Sequence, residues 1–123
     1  MSFFKSKSST ITDGIITTIS SSTQIKGNIK LDCNIYIDGK IEGDVESSTL
    51  ITIGEQGKVI GNIKAKRVII SGYLEGSAEA EEMEFINKGK IRGKIISEKL
   101  SIEEGVIFEG SSLMKKEQKK IAK

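Results

Sequence analysis

Val59-Ile60-Gly61-Asn62-Ile63 reads apolar-x-Gly-x-apolar, and that five-residue phrase recurs along the whole middle of the chain. Upstream it stands as Ile25-Lys26-Gly27-Asn28-Ile29 and Ile41-Glu42-Gly43-Asp44-Val45. Downstream it returns as Leu74-Glu75-Gly76-Ser77-Ala78 and Ile91-Arg92-Gly93-Lys94-Ile95, then in degraded form as Phe108-Glu109-Gly110-Ser111-Ser112. The glycines are 16, 18, 15, 17 and 17 residues apart. Self-similarity at a short fixed period is the signature of a repeat architecture.

A second motif, apolar-x-apolar, sits between the glycines: Ile35-x-Ile37, Ile51-x-Ile53, Val68-x-Ile70, Met83-x-Phe85 and Leu100-x-Ile102. Ile19 is eight residues before Gly27, as Ile53 is before Gly61, so the array begins near Thr17. Longer copies gain Gly54-Glu55-Gln56-Gly57, Asn87-Lys88-Gly89 or Glu103-Glu104-Gly105, all turn chemistry, so the length variation falls in loops. Alternation of period 2 means strands with one buried face. About 17 residues hold three such strands and the bends between them. A flat antiparallel meander would also alternate, but has no need of one residue type at one place in every unit.

The reading is therefore all-β: a single-stranded β-helix, or solenoid, of about six three-strand coils over residues 17–113. At about 4.8 Å per coil its rod is about 29 Å long. Stacking the copies gives inward columns, such as Ile25, Ile41, Val59, Leu74, Ile91 and Phe108. A smaller column holds Leu31, Ser47, Ala65, Ala80 and Ser97. The glycines fall between two inward residues, where a missing Cβ permits a bend or a close backbone approach. Residues 1–16, rich in Ser and Thr, and the lysine-rich 114–123 read as disordered polar tails.

Composition excludes much chemistry. The 123 residues contain no histidine and one cysteine, Cys33. A Ser-His-Asp triad, a histidine base, a Cys/His zinc site and an internal disulfide are thereby excluded. No catalytic, cofactor-binding or metal-ligating residue is assigned, and Cys33 is expected in or beside a turn. Nineteen Lys+Arg against 17 Asp+Glu leave a net charge of +2, too little to draw nucleic acid. No apolar run reaches membrane-span or signal-peptide length, which with the lone cysteine fits a reducing compartment.

The six glycine phrases, the segment Ile35-Tyr36-Ile37-Asp38-Gly39-Lys40-Ile41-Glu42-Gly43 and the short polar tails resemble the bactofilins, a family of bacterial cytoskeletal proteins. The resemblance covers about residues 17–113. It implies a right-handed β-helix that self-assembles end to end, without nucleotide, into nonpolar filaments. It also implies a cytoplasmic, peripheral location on the inner face of the cell membrane, and a role in positioning cell-wall or cell-shape machinery. Expected partners are further copies of the chain, inner-membrane lipid, and peptidoglycan-remodelling or cell-shape proteins. No small-molecule substrate is expected.

The residues themselves locate candidate contacts. A stacked coil has two open ends, each with unpaired backbone groups and a cut apolar core. Ile19 and Ile25 open the first coil; Ile102, Phe108 and Leu113 belong to the last, where Ser112 replaces an apolar residue. These five are the candidate polymerisation residues, although Phe108 also reads as an ordinary core side chain in a large slot. Sequence does not choose between head-to-head and head-to-tail joints. Phe3, Phe4, Lys5 and Lys7 form a candidate membrane contact; a solvated tail explains them as well. The C-terminal lysines suit acidic lipid, nucleic acid or an acidic protein patch, or simply solubility. The rival to a scaffold is a non-polymerising β-helical module that recognises a glycan or protein surface. Its exposed aromatics would be only Tyr36 and Tyr73.

Overall fold

A computed structural model describes residues 16–114, and in them every pairing between strands is parallel. Twelve strands and no helix are present among the described residues. The alternating sequence sends each strand's apolar side inward, and successive strands turn a corner rather than reverse. The described residues thus wind six times and stack each coil on the last, forming a parallel β-solenoid.

Three faces result. The first runs through β1 (Ile16–Ile19), β4 (Asn34–Ile37), β7 (Leu50–Ile53) and β9 (Arg67–Ile70), then the ends of β10 (Tyr73–Phe85) and β11 (Lys90–Ile102). The second holds β2 (Gln24–Lys26), β5 (Lys40–Glu42), the start of β8 (Lys58–Lys64), the starts of β10 and β11, and then β12 (Ile107–Met114). The third begins with β3 (Ile29–Leu31) and β6 (Val45–Ser47) and continues through the later parts of β8, β10, β11 and β12.

The register is the one the repeats dictate. Ile41 pairs with Val59, Leu74 with Ile91 and Ile91 with Phe108. Ile37, Ile53, Ile70 and Phe85 stack on the first face and are fully buried. Burying each such side chain contributes about 1.5–3 kcal/mol, so aliphatic columns supply a core that few aromatics could. One expectation is too coarse. Three short strands per coil hold for the first two coils, but β8, β10 and β11 run through their corners without a break.

The glycine column makes the bend between the second and third faces. Gly76 and Gly93 have φ of 132° and 140°, outside the range of L side chains. A Cβ on Gly93 would also collide with the carbonyl oxygen of Gly76. The corner still bonds to the coil above, since the Gly43 N–H donates to the Ile60 carbonyl at 2.9 Å. Between the first and second faces the longer copies close as hydrogen-bonded turns, among them Ile86–Gly89, with Asn87 and Lys88 both at positive φ. Cys33 lies, as expected, in the bend between β3 and β4, its Sγ 3.5 Å from Thr17 Oγ1. Ser47, buried in the small column, donates to the Cys33 carbonyl at 2.7 Å and accepts from the Thr49 N–H at 3.1 Å.

Candidate functional site

Among the described residues, the two ends of the solenoid differ from its middle in one respect: each has a coil on one side only. Among the described residues β1, β2 and β3 pair solely with β4, β5 and β6, while β12 pairs solely with β11. Their outer edges therefore carry backbone donors and acceptors with no described strand opposite. Such an edge is a template for another chain.

Side-chain burial follows the same rule. The first-face column is closed from Ile37 to Phe85, yet its last member, Ile102, is 48% exposed. The second-face column is closed from Ile41 to Ile91, and its end members Ile25 and Phe108 are only partly buried. Ile19 is likewise partly buried. Four of the five sequence-picked residues thus sit where a core is cut open: Ile19 and Ile25 at one end, Ile102 and Phe108 at the other. The Phe108 ring rests against Phe85, centroids 6.3 Å apart.

Leu113 is placed differently. It pairs with Ile96 and directly follows Ser112, which lies over the inward Ile95. By alternation Leu113 faces outward, 39% exposed on the outer flank of the third face. Ile107, 50% exposed, projects similarly from the second face. Ile29, Leu31, Leu100 and Val106 complete the two open cores and were not singled out as contacts. Ile29, Leu31 and Leu100 stand in the sequence columns, so that signal was available. Phe3, Phe4, Lys5 and Lys7 lie outside the described residues.

Charge distinguishes the ends. The last coil carries Glu98, Glu103, Glu104 and Glu109 against Lys99, whereas the first carries Lys26 and Lys30 against Asp32. Glu109 reaches back to Arg92 at 3.1 Å. Arg92 belongs to a network on the second face in which the Tyr73 hydroxyl donates to Glu75 at 2.7 Å and Lys58 Nζ lies 5.3 Å from the Tyr73 ring centroid. The bond to Glu75 favours the protonated phenol and holds Tyr73 above the ordinary tyrosine range; its bond with Tyr73 in turn raises Arg92. A second ladder was invisible in the sequence. Residues after the corner glycines link coils, the Asp44 N–H donating to Asn28 Oδ1 and the Asn62 N–H to Asp44 Oδ1.

Among the described residues no group of three His, Cys, Asp or Glu side chains is placed to hold a metal ion. No helix there is long and apolar enough to cross a membrane. What the geometry offers is adhesion: two open strand edges, each framing exposed aliphatic surface.

Known proteins share this form. The bactofilin family profile, described as polymer-forming cytoskeletal, matches residues 17–113. The bactofilin BacP of Myxococcus xanthus is 28% identical over 95 residues, covering 76% of this chain and 40% of the relative. The chain thus spans well under half the length of that protein. The solid-state NMR structure of the cytoskeletal bactofilin BacA superimposes with a TM-score of 0.74 at 29% identity, covering 80% of this chain and 95% of the other. Thermus thermophilus bactofilin, reconstructed by cryo-EM in double helical filaments, superimposes with a TM-score of 0.77 at 25% identity, over 80% and 98%.

Proposed function

The chain belongs to the bactofilin family of polymer-forming cytoskeletal proteins, and from that premise we propose that it polymerises through the two open ends of its solenoid. The observation that carries this reading is the loss of burial confined to the ends of otherwise closed columns, at Ile19, Ile25, Ile102 and Phe108. Each end is an adhesive face, and a subunit with two adhesive faces builds filaments rather than a closed pair. A joint between like ends gives a filament without polarity. Assembly needs no nucleotide, because the free energy comes from covering apolar surface and completing strand edges. Leu113 contributes from the flank of the C-terminal joint.

The role that follows is a positional one. The filament lies on the cytoplasmic face of the inner membrane and holds cell-wall or cell-shape proteins there. Membrane contact is assigned to Phe3, Phe4, Lys5 and Lys7. Each Phe gains about 1.5–3 kcal/mol in an apolar phase, and each Lys about 1 kcal/mol near anionic lipid. One such segment binds weakly, but a filament presents many at high effective concentration. Liposome co-sedimentation of the full chain and of a chain lacking residues 1–7 tests this; equal pelleting refutes it.

Phe108→Arg tests the joint. An arginine there meets its counterpart's apolar surface unpaired, at a cost of about 3–5 kcal/mol. The variant is expected to stay in the supernatant on ultracentrifugation and to show no filaments by electron microscopy, with its β-sheet circular dichroism unchanged. Filaments of normal length would refute the C-terminal joint.

A further inference from the structure

The corner between the first and second faces is not uniform along the rod. From the first-face column to the corner glycine is eight residues in the third coil (Ile53 to Gly61), six in the fourth (Ile70 to Gly76) and eight in the fifth (Phe85 to Gly93). The longer corners close as turns, the Gly57 N–H donating to the Gly54 carbonyl at 2.9 Å and the Gly89 N–H to the Ile86 carbonyl at 3.0 Å. The fourth coil rounds the corner in Ser71-Gly72 and lies recessed between those turns. A Cβ on Gly72 would collide with the carbonyl oxygens of Gly54 and Gly57, so the notch is floored tightly.

Two hollows meet over this notch, sharing Glu55, Gln56, Ser71 and Asn87 as lining. The first-face hollow, of about 340 Å³, is apolar where alternation calls for polar groups: Tyr36, Ile69 and Ile86 all turn outward there. The Tyr36 ring packs against the space that a Cβ on Gly54 would occupy. The second-face hollow, of about 490 Å³, is bordered by Lys58, Tyr73, Lys88 and Lys90. None of those lysines is in an ion pair among the described residues, and Lys58 Nζ stands 5.3 Å from the Tyr73 ring centroid. The floor backbone is already engaged, the Ser71 N–H donating to Ile53, Tyr73 to Gly57 and Lys90 to Gly72 at 2.8, 3.1 and 2.8 Å. A ligand here is read by side chains and not by a strand edge.

We infer that this groove docks an extended segment of a partner protein, one with a large apolar residue followed or preceded, about four residues away, by a cluster of Asp or Glu. The apolar residue lies on Tyr36, Ile69 and Ile86, and the carboxylates face Lys58, Lys88 and Lys90. Four residues separate Ile69 from Tyr73, at most about 13 Å of extended chain, which sets the spacing. Charge complementarity selects a peptide over a uniform polyanion: Asp38 and Glu55 line the apolar half and would repel phosphates there. Both tyrosines of the chain are thereby used, one at each end of the groove. The groove belongs to the middle coils and does not depend on the end joints.

The test is fluorescence anisotropy of the full chain with a fluorescein-labelled Ser/Gly peptide holding a Leu-Leu pair and, about four residues on, an Asp-Asp-Asp run. Saturable binding is expected, weakened about tenfold or more when the leucines become Ser or the aspartates Asn. Tyr36→Ser combined with Ile69→Ser should weaken it similarly, with β-sheet circular dichroism unchanged. Lys58→Glu combined with Lys90→Glu should abolish it and create binding to the same peptide with Lys-Lys-Lys in place of the aspartates. Phe108→Arg should bind as the unaltered chain does, so failure of the end joint and failure of the groove are read separately. The inference is overturned if no saturable binding occurs, if the charge exchange does not invert the preference, or if an oligo-dT strand binds more tightly than the peptide. Binding indifferent to the leucines and to Tyr36 and Ile69 would also overturn it, leaving only attraction between surface charges.

Discussion

Phe85 and Phe108 meet across the core with ring centroids 6.3 Å apart and planes tilted by 57°, although they come from different faces of successive coils. That is a tilted ring contact, contributing on the order of 0.5–1.5 kcal/mol beyond area burial. Among the described residues, only Phe85 has a coil on both sides. It is fully buried, whereas Phe108 is closed on one side and open on the other.

The two phenylalanines should therefore separate stability from assembly. Phe85→Ala opens a cavity within a closed column and should cost about 3–5 kcal/mol in urea unfolding, measured at concentrations below assembly. Phe108→Ala removes a half-covered ring, so its unfolding cost under the same conditions should be roughly half as large. Polymer yield should show the reverse emphasis, with Phe108→Ala losing filaments under conditions where the chain remains folded. Equal losses on both measures for the two variants would place Phe108 in the core alone.

The glycine corner yields a paired experiment. Gly93 and Gly27 share nearly the same backbone, with φ of 140° and 136°. A Cβ on Gly93 would strike the Gly76 carbonyl, but one on Gly27, in the first described coil, would meet nothing within 4 Å among the described residues. Alanine at Gly27 should thus cost only conformational strain, about 1–3 kcal/mol. Alanine at Gly93 must add displacement of the backbone ladder, and its thermal midpoint should fall clearly further. Similar shifts would mean that φ alone, and not close approach of coils, demands glycine there.

Buried and exposed polar groups should behave differently. Ser47→Ala strips a buried partner from both the Cys33 carbonyl and the Thr49 N–H, so a loss of about 1–3 kcal/mol is expected. Arg67→Gln breaks contacts to Glu82 at 3.8 Å and Glu84 at 3.3 Å, yet all three side chains are about half exposed. Its cost should stay under about 1 kcal/mol. Denaturant midpoints for the two variants check the ranking.

The columns were legible because a parallel solenoid repeats each residue's environment once per coil. Ile41, Val59 and Leu74 therefore announce a common site from sequence alone. Ladder positions between glycines follow from period 2 in the same way. Leu113 shows the limit. Next to a degraded copy, where Ser112 occupies the inward slot, an apolar residue one step later reads as part of the cut core, although alternation turns it outward. The Asn28–Asp44–Asn62 ladder was hidden for another reason. It links side chains to backbone between coils, and the short polar residues involved are equally common in plain turns. Strand continuity in β10 and β11 was hidden too, since whether a corner keeps its ladder bonds is not a matter of residue type alone.

Tyr73 gives a spectroscopic check on the second-face network. Its hydroxyl donates to Glu75, which stabilises the protonated phenol and raises its pKa above the usual 10.0; Arg92 opposes this by favouring the phenolate. A tyrosine that binds its proton more tightly when folded adds stability at neutral pH, and that contribution is lost as pH rises through the folded-state value. The chain has two tyrosines, so in Tyr36→Phe the ultraviolet titration reports Tyr73 alone. Ionisation should then occur above pH 10 in the folded protein. Adding Glu75→Gln removes the largest raising cause and leaves Arg92 in place, so the midpoint should move down. A midpoint indifferent to Glu75 would show that the carboxylate does not hold the phenol in solution.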